Sequence, residues 1–206
     1  MLPPSRAVIN ATAWHAESLE TYTLETVNVI QDFGAPLPDF TLTGLDGKEV
    51  TLSVALTEKK GAVVVFWSST CSHCVRYDKI LNTFAERHPD LAFFVLASRH
   101  GETADDVKKA AKERKITYPI ILDPMGKVAA KWYTHQTPRA FLMDSEGRLL
   151  YRGAIDNFKY PEDPEFLGYL EPAIESFEAG EPLTRNETAS FGCAIQSVYY
   201  ILPRSL

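Results

Sequence analysis

The chain has 206 residues, of which 45% are hydrophobic and 23% charged, and its net charge at pH 7 is −6. This composition supplies enough apolar side chains for a globular core and excludes the basic surface typical of nucleic-acid binding. The longest apolar runs are far shorter than a membrane span, so no transmembrane helix is predicted in this chain. No secretory signal is recognised at the N-terminus, and three cysteines are too few for a disulfide scaffold.

The first recognisable elements follow residues 1–33, which have no clear hydrophobic period and are expected to be an N-terminal extension. From Pro38 onward, two alternating runs flank the turn sequence Leu-Asp-Gly-Lys at 45–48, and this pattern predicts a β-hairpin. The run of β-branched and aromatic residues at 62–67 then predicts a buried strand.

A helix is predicted over residues 72–87, because apolar side chains recur there at helical spacing. Four of these side chains are predicted to lie largely on one face: Val75, Ile80, Leu81 and Phe84. A strand follows at 91–98. The sequence Thr-Ala-Asp-Asp at 103–106 predicts a capping box that opens a second helix, which continues to Lys115.

The remaining elements continue this alternation. A short strand at 119–122 precedes a helical segment near 126–133, and two apolar runs around 145–147 predict a second hairpin. A last helix is predicted over 162–179 despite Pro172. Strands that alternate with helices predict an α/β fold, with a mixed β-sheet covered by helices on both faces.

The same pattern gives the expected domain organisation. Residues 34–180 are predicted to form one domain whose N-terminal β-hairpin extends the fold, and residues 181–206 are expected to be a C-terminal tail without a strong period. No internal repeat divides the chain further.

Two cysteines separated by two residues follow the first predicted parallel strand. Cys71 is expected where the strand has ended and a helix begins, and there the unpaired amides and the helix dipole favour a thiolate over a thiol. Cys74 lies nearly one helical turn later, close enough to attack a mixed disulfide formed by Cys71. His73, between them, is predicted to stabilise the Cys71 thiolate, the alternative being a solvent-exposed helix residue.

A Cys-x-x-Cys pair is also half of a typical zinc site, which needs two further ligands. The other histidines, at positions 15, 88, 100 and 135, form no closely spaced pair, and Cys193 stands alone. This favours a redox pair over a zinc site, with an inert structural disulfide as the remaining alternative.

Four segments together carry a family resemblance: "PLPDFTLTGLDGKEVTL", "VVVFWSSTCSHC", "HQTPRAFLMDSEGRLLYRGAID" and "FGCAIQ". They resemble the redoxin (AhpC/TSA) branch of the thioredoxin superfamily, in particular its TlpA-like and peroxiredoxin-like members, over residues 34 to 195. The resemblance implies a thioredoxin-like fold and thiol–disulfide exchange with protein substrates and a redox partner protein. No cofactor is expected, because the dithiol itself carries the two electrons.

The resemblance also implies roles for individual residues. Cys71 and Cys74 match the active pair of the family, and Thr137-Pro138 matches its cis-proline loop. Pro138 is then expected to pack against the active disulfide, and the backbone of Thr137 to pair with an incoming substrate strand, a local form of β-augmentation. The alternative for Pro138 is an ordinary trans turn before a strand.

Departures from the family pattern keep other functions open. Thr70 stands where thioredoxin has a tryptophan before the first cysteine, and Val65 stands in place of its buried acid. A peroxidase is the second hypothesis, since Ser68 and Arg139 have part of the spacing of a peroxidatic site but lack the expected proline. A thioredoxin-fold binding module without turnover is the third.

Three further residues are possible members of the site. Cys193 is predicted to be a buried small hydrophobe, or alternatively a third redox partner. His135, three residues before Pro138, is either a surface or hydrogen-bonded residue or one that faces the disulfide. Trp67 is explained by core packing, or it forms an apolar lip for a protein substrate. TlpA-like relatives usually work outside the cytoplasm, so an extracytoplasmic location is expected.

Overall fold

The computed structural model describes residues 32–195, and residues 1–31 and 196–206 lie outside that description. Strands and helices alternate along the described chain, as predicted. Their bounds, in chain order, are β1 Thr41–Gly44, β2 Glu49–Thr51, α1 Leu52–Leu56, β3 Gly61–Trp67, α2 Ser72–Val75, α3 Asp78–Asn82, α4 Phe84–Arg87, β4 Leu91–Ala97, α5 Ala104–Glu113, β5 Ile120–Leu122, α6 Lys127–Lys131, β6 Gln136–Thr137, β7 Arg139–Asp144, β8 Leu149–Gly153, α7 Leu170–Glu178 and β9 Cys193–Ala194.

The central sheet has seven strands in the order β2-β1-β5-β4-β3-β7-β8. Strands β3, β4 and β5 are mutually parallel, whereas β1, β2, β7 and β8 pair antiparallel with their neighbours. The sheet is therefore mixed, as predicted, and the N-terminal hairpin β1–β2 extends one edge of it.

Strand β3 is fully buried and separates two apolar cores. Because side chains alternate along a strand, Val63, Val65 and Trp67 face the core that contains α3, α4, α5 and α7. Ala62, Val64 and Phe66 face the opposite core, to which α1 and α6 contribute. The prediction of helices on both faces of the sheet is confirmed.

The predicted turn and helix cap are confirmed. Gly47 has φ of +82° in the β1–β2 turn, a conformation that glycine adopts without strain. Thr103 and Asp106 form the predicted capping box at the start of α5, with each side chain accepting from the other residue's backbone N–H. Strands β7 and β8 form the second predicted hairpin.

The single helix predicted over 72–87 is wrong, because the chain forms the three short segments α2, α3 and α4 there. Thr83, at the second break, donates its hydroxyl to the carbonyl of Ile80 and so competes with the helical hydrogen bonds. The breaks rotate the predicted apolar face: Leu81 and Phe84 are buried, but Val75 and Ile80 are exposed.

The last helix begins at Leu170 rather than near 162. Pro172 lies in its first turn, where a missing N–H removes no intrahelical hydrogen bond. The preceding residues form a loop instead, and Asn157 holds that loop through hydrogen bonds with Glu165 and Leu167.

The chain beyond α7 lies along the domain as far as the structure describes it. The backbone of Thr188 donates to Arg152 in β8, and β9 pairs with β6 in a separate two-stranded sheet. No helix within residues 32–195 is long and apolar enough to cross a membrane. The N-terminal extension predicted over 1–33 lies almost wholly outside the described residues.

Candidate active site

The two cysteines of the Cys-x-x-Cys pair lie at the end of β3, at the boundary where the strand gives way to a helix. Cys71 is the N-cap residue of α2, and the backbone N–H of Cys74 donates to the Cys71 carbonyl over 3.0 Å. Both side chains are buried in the core that also contains Trp67, and both are free thiols in this structure. The predicted strand-to-helix placement of Cys71 is confirmed.

The loop before β7 lies against Cys71. The Thr137–Pro138 peptide bond is cis, as predicted, and Thr137 is almost fully buried. The Sγ of Cys71 is 3.2 Å from the carbonyl oxygen of Thr137. The fold therefore brings together two segments that are 66 residues apart in the sequence.

The surroundings of the two thiols separate their acidities. Hydrogen bonding from the Cys74 thiol is the main reason that the pKa of Cys71 falls to about 4. Burial acts in the opposite direction, and hydrogen bonds from Cys193 and Thr137 make smaller contributions to the lowering. Burial, followed by the hydrogen bond and the charge of Cys71, raises the pKa of the Cys74 thiol well above its usual value. These surroundings favour a thiolate at Cys71 and a protonated thiol at Cys74.

The third cysteine, Cys193, is also brought to this site. Strand β9 pairs antiparallel with β6, and Cys193 stands opposite Thr137. The carbonyl of Thr137 lies 3.2 Å from the Cys71 sulfur, so Cys193 is brought beside Cys71, and its hydrogen bonding contributes to the lowered pKa of Cys71. Cys193 is half-buried and packs against the core cluster that contains Cys71, so both interpretations from the sequence, a small hydrophobe and a third redox partner, stay predictions.

The other candidate residues have different surroundings. The His73 ring packs against Phe158, with ring centroids 5.0 Å apart, and its buried Nδ1 has no hydrogen-bond partner among the described residues. Its tuning of the thiolate stays a prediction. The carbonyl of His135 accepts from the backbone of Ile195, and burial lowers the pKa of its imidazole. Trp67 has no exposed surface, which agrees with core packing.

A buried ionic group beneath the dithiol was missed from the sequence. Arg114 forms a bidentate pair with Asp78, with N–O distances of 2.6 and 2.7 Å, and Tyr118 donates to the same carboxylate over 2.9 Å. The Arg114 guanidinium lies over the Trp67 ring, 4.7 Å from its centroid. The capping box predicts helix α5, which ends just before Arg114, but nothing in the sequence indicates that Arg114 pairs with Asp78, which is 36 residues away.

The residues considered for a peroxidase have other partners. Ser68 donates its hydroxyl to Glu102 over 3.1 Å, and Arg139 lies 3.7 Å from Glu187. The cis-proline loop, Cys74 and Cys193 lie close to Cys71. Within residues 32–195, no cluster of three or more His, Cys, Asp or Glu side chains is arranged to hold a metal ion.

Comparisons with known proteins identify the family of the chain. The Redoxin family model matches residues 33–168. The thiol-disulfide oxidoreductase ResA of Bacillus thuringiensis is 24% identical over 119 residues, which cover 58% of this chain and 68% of that protein. The thiol:disulfide interchange protein DsbE of Allochromatium vinosum is 23% identical over 150 residues, which cover 71% and 78%.

A solved structure has a similar fold. A hypothetical protein from Sinorhizobium meliloti 1021 superimposes with a TM-score of 0.71 at 26% identity, over 82% of this chain and 96% of that one. The fold and the dithiol define a thioredoxin-like thiol-disulfide oxidoreductase. The chain belongs to the Redoxin family.

Proposed function

We propose that this protein exchanges disulfides with protein substrates through its Cys71-Ser-His-Cys74 sequence. The observation that carries the proposal is the position of the dithiol at the start of α2, with the Cys71 Sγ 3.2 Å from the Thr137 carbonyl of the cis-proline loop. These surroundings lower the pKa of Cys71 and raise that of Cys74. Only the thiolate attacks a disulfide, so this arrangement makes Cys71 the attacking sulfur.

The reaction has two steps. The Cys71 thiolate attacks a substrate disulfide, which forms a Cys71–substrate mixed disulfide and releases the first substrate thiolate. Cys74 then gives up its proton and attacks the Cys71 sulfur, which forms the Cys71–Cys74 disulfide and releases the second substrate thiolate. The reverse sequence oxidises a substrate dithiol, and a redox partner protein returns the pair to its starting state.

The groove formed by Thr137 and the cis-proline is the proposed substrate-binding surface. An incoming extended segment would take the place of β9 and pair with the backbone of Thr137, whose carbonyl lies beside the Cys71 sulfur. An extracytoplasmic location belongs to the same proposal, because a disulfide persists in an oxidising compartment.

The test is equilibration of the Cys71–Cys74 pair with glutathione buffers, with Cys71→Ser as the control. We expect reversible formation of one intramolecular disulfide in the wild-type protein and none between these positions in the variant. A potential near −120 mV would define an oxidant, and one near −270 mV a reductase. A pair that does not exchange at all would instead support a binding module with no turnover.

The peroxidase alternative is tested on the same samples. Hydrogen peroxide consumption by the reduced protein should remain at the rate of Cys71→Ser, because Ser68 and Arg139 are engaged with Glu102 and Glu187. Rapid consumption that depends on Cys71 would overturn this expectation.

A further inference from the structure

The C-terminal segment places a thiol on the reactive sulfur by means of backbone pairing. Cys193 stands opposite Thr137, and Ala194 opposite Gln136. The pairing continues to Ile195, whose N–H donates to His135 over 2.9 Å. These contacts form a short antiparallel strand beside the cis-proline loop, where a substrate strand is proposed to bind.

Two flanking residues hold this strand in place. Ile195 has no exposed surface, and its carbonyl accepts from the backbone of His100 over 2.9 Å. Gly192 lies so close to the loop that a Cβ at this position would collide with the carbonyl oxygen of Thr137. Only glycine lets the chain approach to this depth, so the position of the neighbouring Cys193 is a consequence of the sequence Gly-Cys.

The pairing of β9 with β6 brings Cys193 beside the Cys71–Cys74 pair. Cys193 packs against the core cluster that contains Cys71 and Cys74. Hydrogen bonding from Cys193 contributes to the lowered pKa of Cys71, whereas burial and the neighbouring Cys71 raise the pKa of Cys193 itself. Cys193 is partly exposed, whereas Cys74 has no exposed surface. Of the two thiols beside Cys71, Cys193 is therefore the one that solvent can reach.

We propose that Cys193 is a third redox-active cysteine, which takes the place of Cys74 in an intramolecular disulfide with Cys71. The inference rests on the proposed function, because that function supplies the oxidised Cys71–Cys74 pair. In the step, the Cys193 sulfur attacks Cys71, the Cys71–Cys74 bond breaks, and the Cys71–Cys193 bond forms. The proton lost by Cys193 is balanced by the one that Cys74 gains, and no external oxidant or reductant is needed.

The same chemistry acts on a mixed disulfide. When a substrate is bound through Cys71, attack by Cys193 releases the substrate thiolate and leaves the Cys71–Cys193 disulfide. Cys74 then displaces Cys193 from Cys71. The oxidised protein is thus an equilibrium of two disulfides that share Cys71.

The test uses the full chain with Cys74→Ser, reduced and then exposed to oxidised glutathione under native conditions. We expect alkylatable thiols to fall from two per chain to none, no retained glutathione, and a Cys71–Cys193 peptide in the non-reduced digest. In the matched control, Cys74→Ser with Cys193→Ser, glutathione should remain attached to Cys71. Glutathione on Cys71 in the Cys74→Ser protein, with Cys193 still alkylatable, would overturn the proposal.

A single Cys193→Ser variant separates this inference from the proposed function. If it forms the Cys71–Cys74 disulfide reversibly while Cys74→Ser forms no Cys71–Cys193 bond, only the role of Cys193 is wrong. If it forms no Cys71–Cys74 disulfide, both proposals fail.

The glycine gives an independent measure of positioning. Gly192→Ala in the Cys74→Ser background should lower the yield of the Cys71–Cys193 disulfide several-fold, because the added Cβ moves the strand away from Thr137. Gly180→Ala is the control, since Gly180 also has positive φ but has no atom near its Cβ position. Equal yields in the two variants would contradict positioning by the Gly192 contact.

Discussion

Cys71 has two thiol neighbours, and they come from regions that are held in different ways. Cys74 belongs to the α2 segment and lies fully buried in one of the two cores. Cys193 belongs to a two-residue strand that pairs with β6 and is fixed by a few backbone hydrogen bonds and one buried side chain. A segment held by few contacts opens at a lower free energy than the core does.

The difference bears on how a buried nucleophile meets its substrate. Cys71 has no exposed surface, and β9 pairs with the loop whose Thr137 carbonyl lies beside the Cys71 sulfur. The α2 side of Cys71 cannot move without disturbing the core, whereas the β9 side can separate locally. Substrate access is therefore expected from the β9 side.

The largest effect is expected from removal of the thiols that neighbour Cys71. Cys74→Ser together with Cys193→Ser should lower steady-state disulfide exchange by on the order of 10²-fold or more, since no intramolecular resolving thiol remains. Cys74→Ser alone should lose less, because Cys193 still resolves the mixed disulfide. Cys193→Ser should cost less than Cys74→Ser, because Cys74 remains to resolve the mixed disulfide. The measurement is turnover with a disulfide-containing protein substrate. Equal losses in Cys74→Ser and Cys193→Ser would mean that Cys74 is not the main resolving thiol.

A large loss of stability is expected when the buried Arg114–Asp78 ion pair is broken. Arg114→Met leaves the buried Asp78 carboxylate without its cation and should lower the free energy of unfolding by about 3 kcal/mol in urea denaturation. Lys60→Met is the control, because the Lys60–Asp90 pair is exposed and its loss should not be measurable. The double variant Arg114→Met with Asp78→Leu should recover part of the loss, since it leaves no unpaired buried charge.

The two regions also differed in how far the sequence could predict them. The strand before Cys71, the hairpins and the cis-proline loop follow from local patterns of alternation, turn residues and a known family motif. The contact of Cys193 with Cys71 does not, because the two residues are far apart in the chain and only the β6–β9 pairing joins them. The breaks between α2, α3 and α4 escaped prediction for a different reason: helical periodicity does not register a hydroxyl such as that of Thr83 competing for a backbone carbonyl.

The acidities of the dithiol predict a pH dependence for the reduced protein. Because folding lowers the pKa of Cys71, the folded state releases its proton first, and stability should rise with pH between about 4 and the ordinary thiol value of about 8.5. The slope has an upper limit of about 1.4 kcal/mol per pH unit for one group. Above about 8.5 the raised pKa of Cys74 acts in the opposite direction, and stability should fall as pH rises.

The contribution of Cys71 to this pH dependence is obtained by comparing the wild-type protein with Cys71→Ser. Urea unfolding of the reduced wild-type protein and of Cys71→Ser at pH 5 and pH 8 removes the contribution of the carboxylates and histidines that both proteins share. We expect the advantage of the wild-type protein to be larger at pH 8. An advantage that is the same at both pH values would mean that Cys71 carries no stabilised thiolate.

Ile195→Ala is expected to have the smallest effect on global stability. It is also the most direct test of whether β9 opens more easily than the core around α2. Truncation of a buried isoleucine in a core costs about 2–5 kcal/mol, but here it should mainly release β9. Amide exchange at Cys193 and Ile195 should accelerate, and Cys71 should be alkylated faster, while global unfolding shifts less than in the control Leu142→Ala, whose side chain is buried in the sheet. If both variants lower global stability equally, β9 is an integral part of the core, and substrate access must come from another direction.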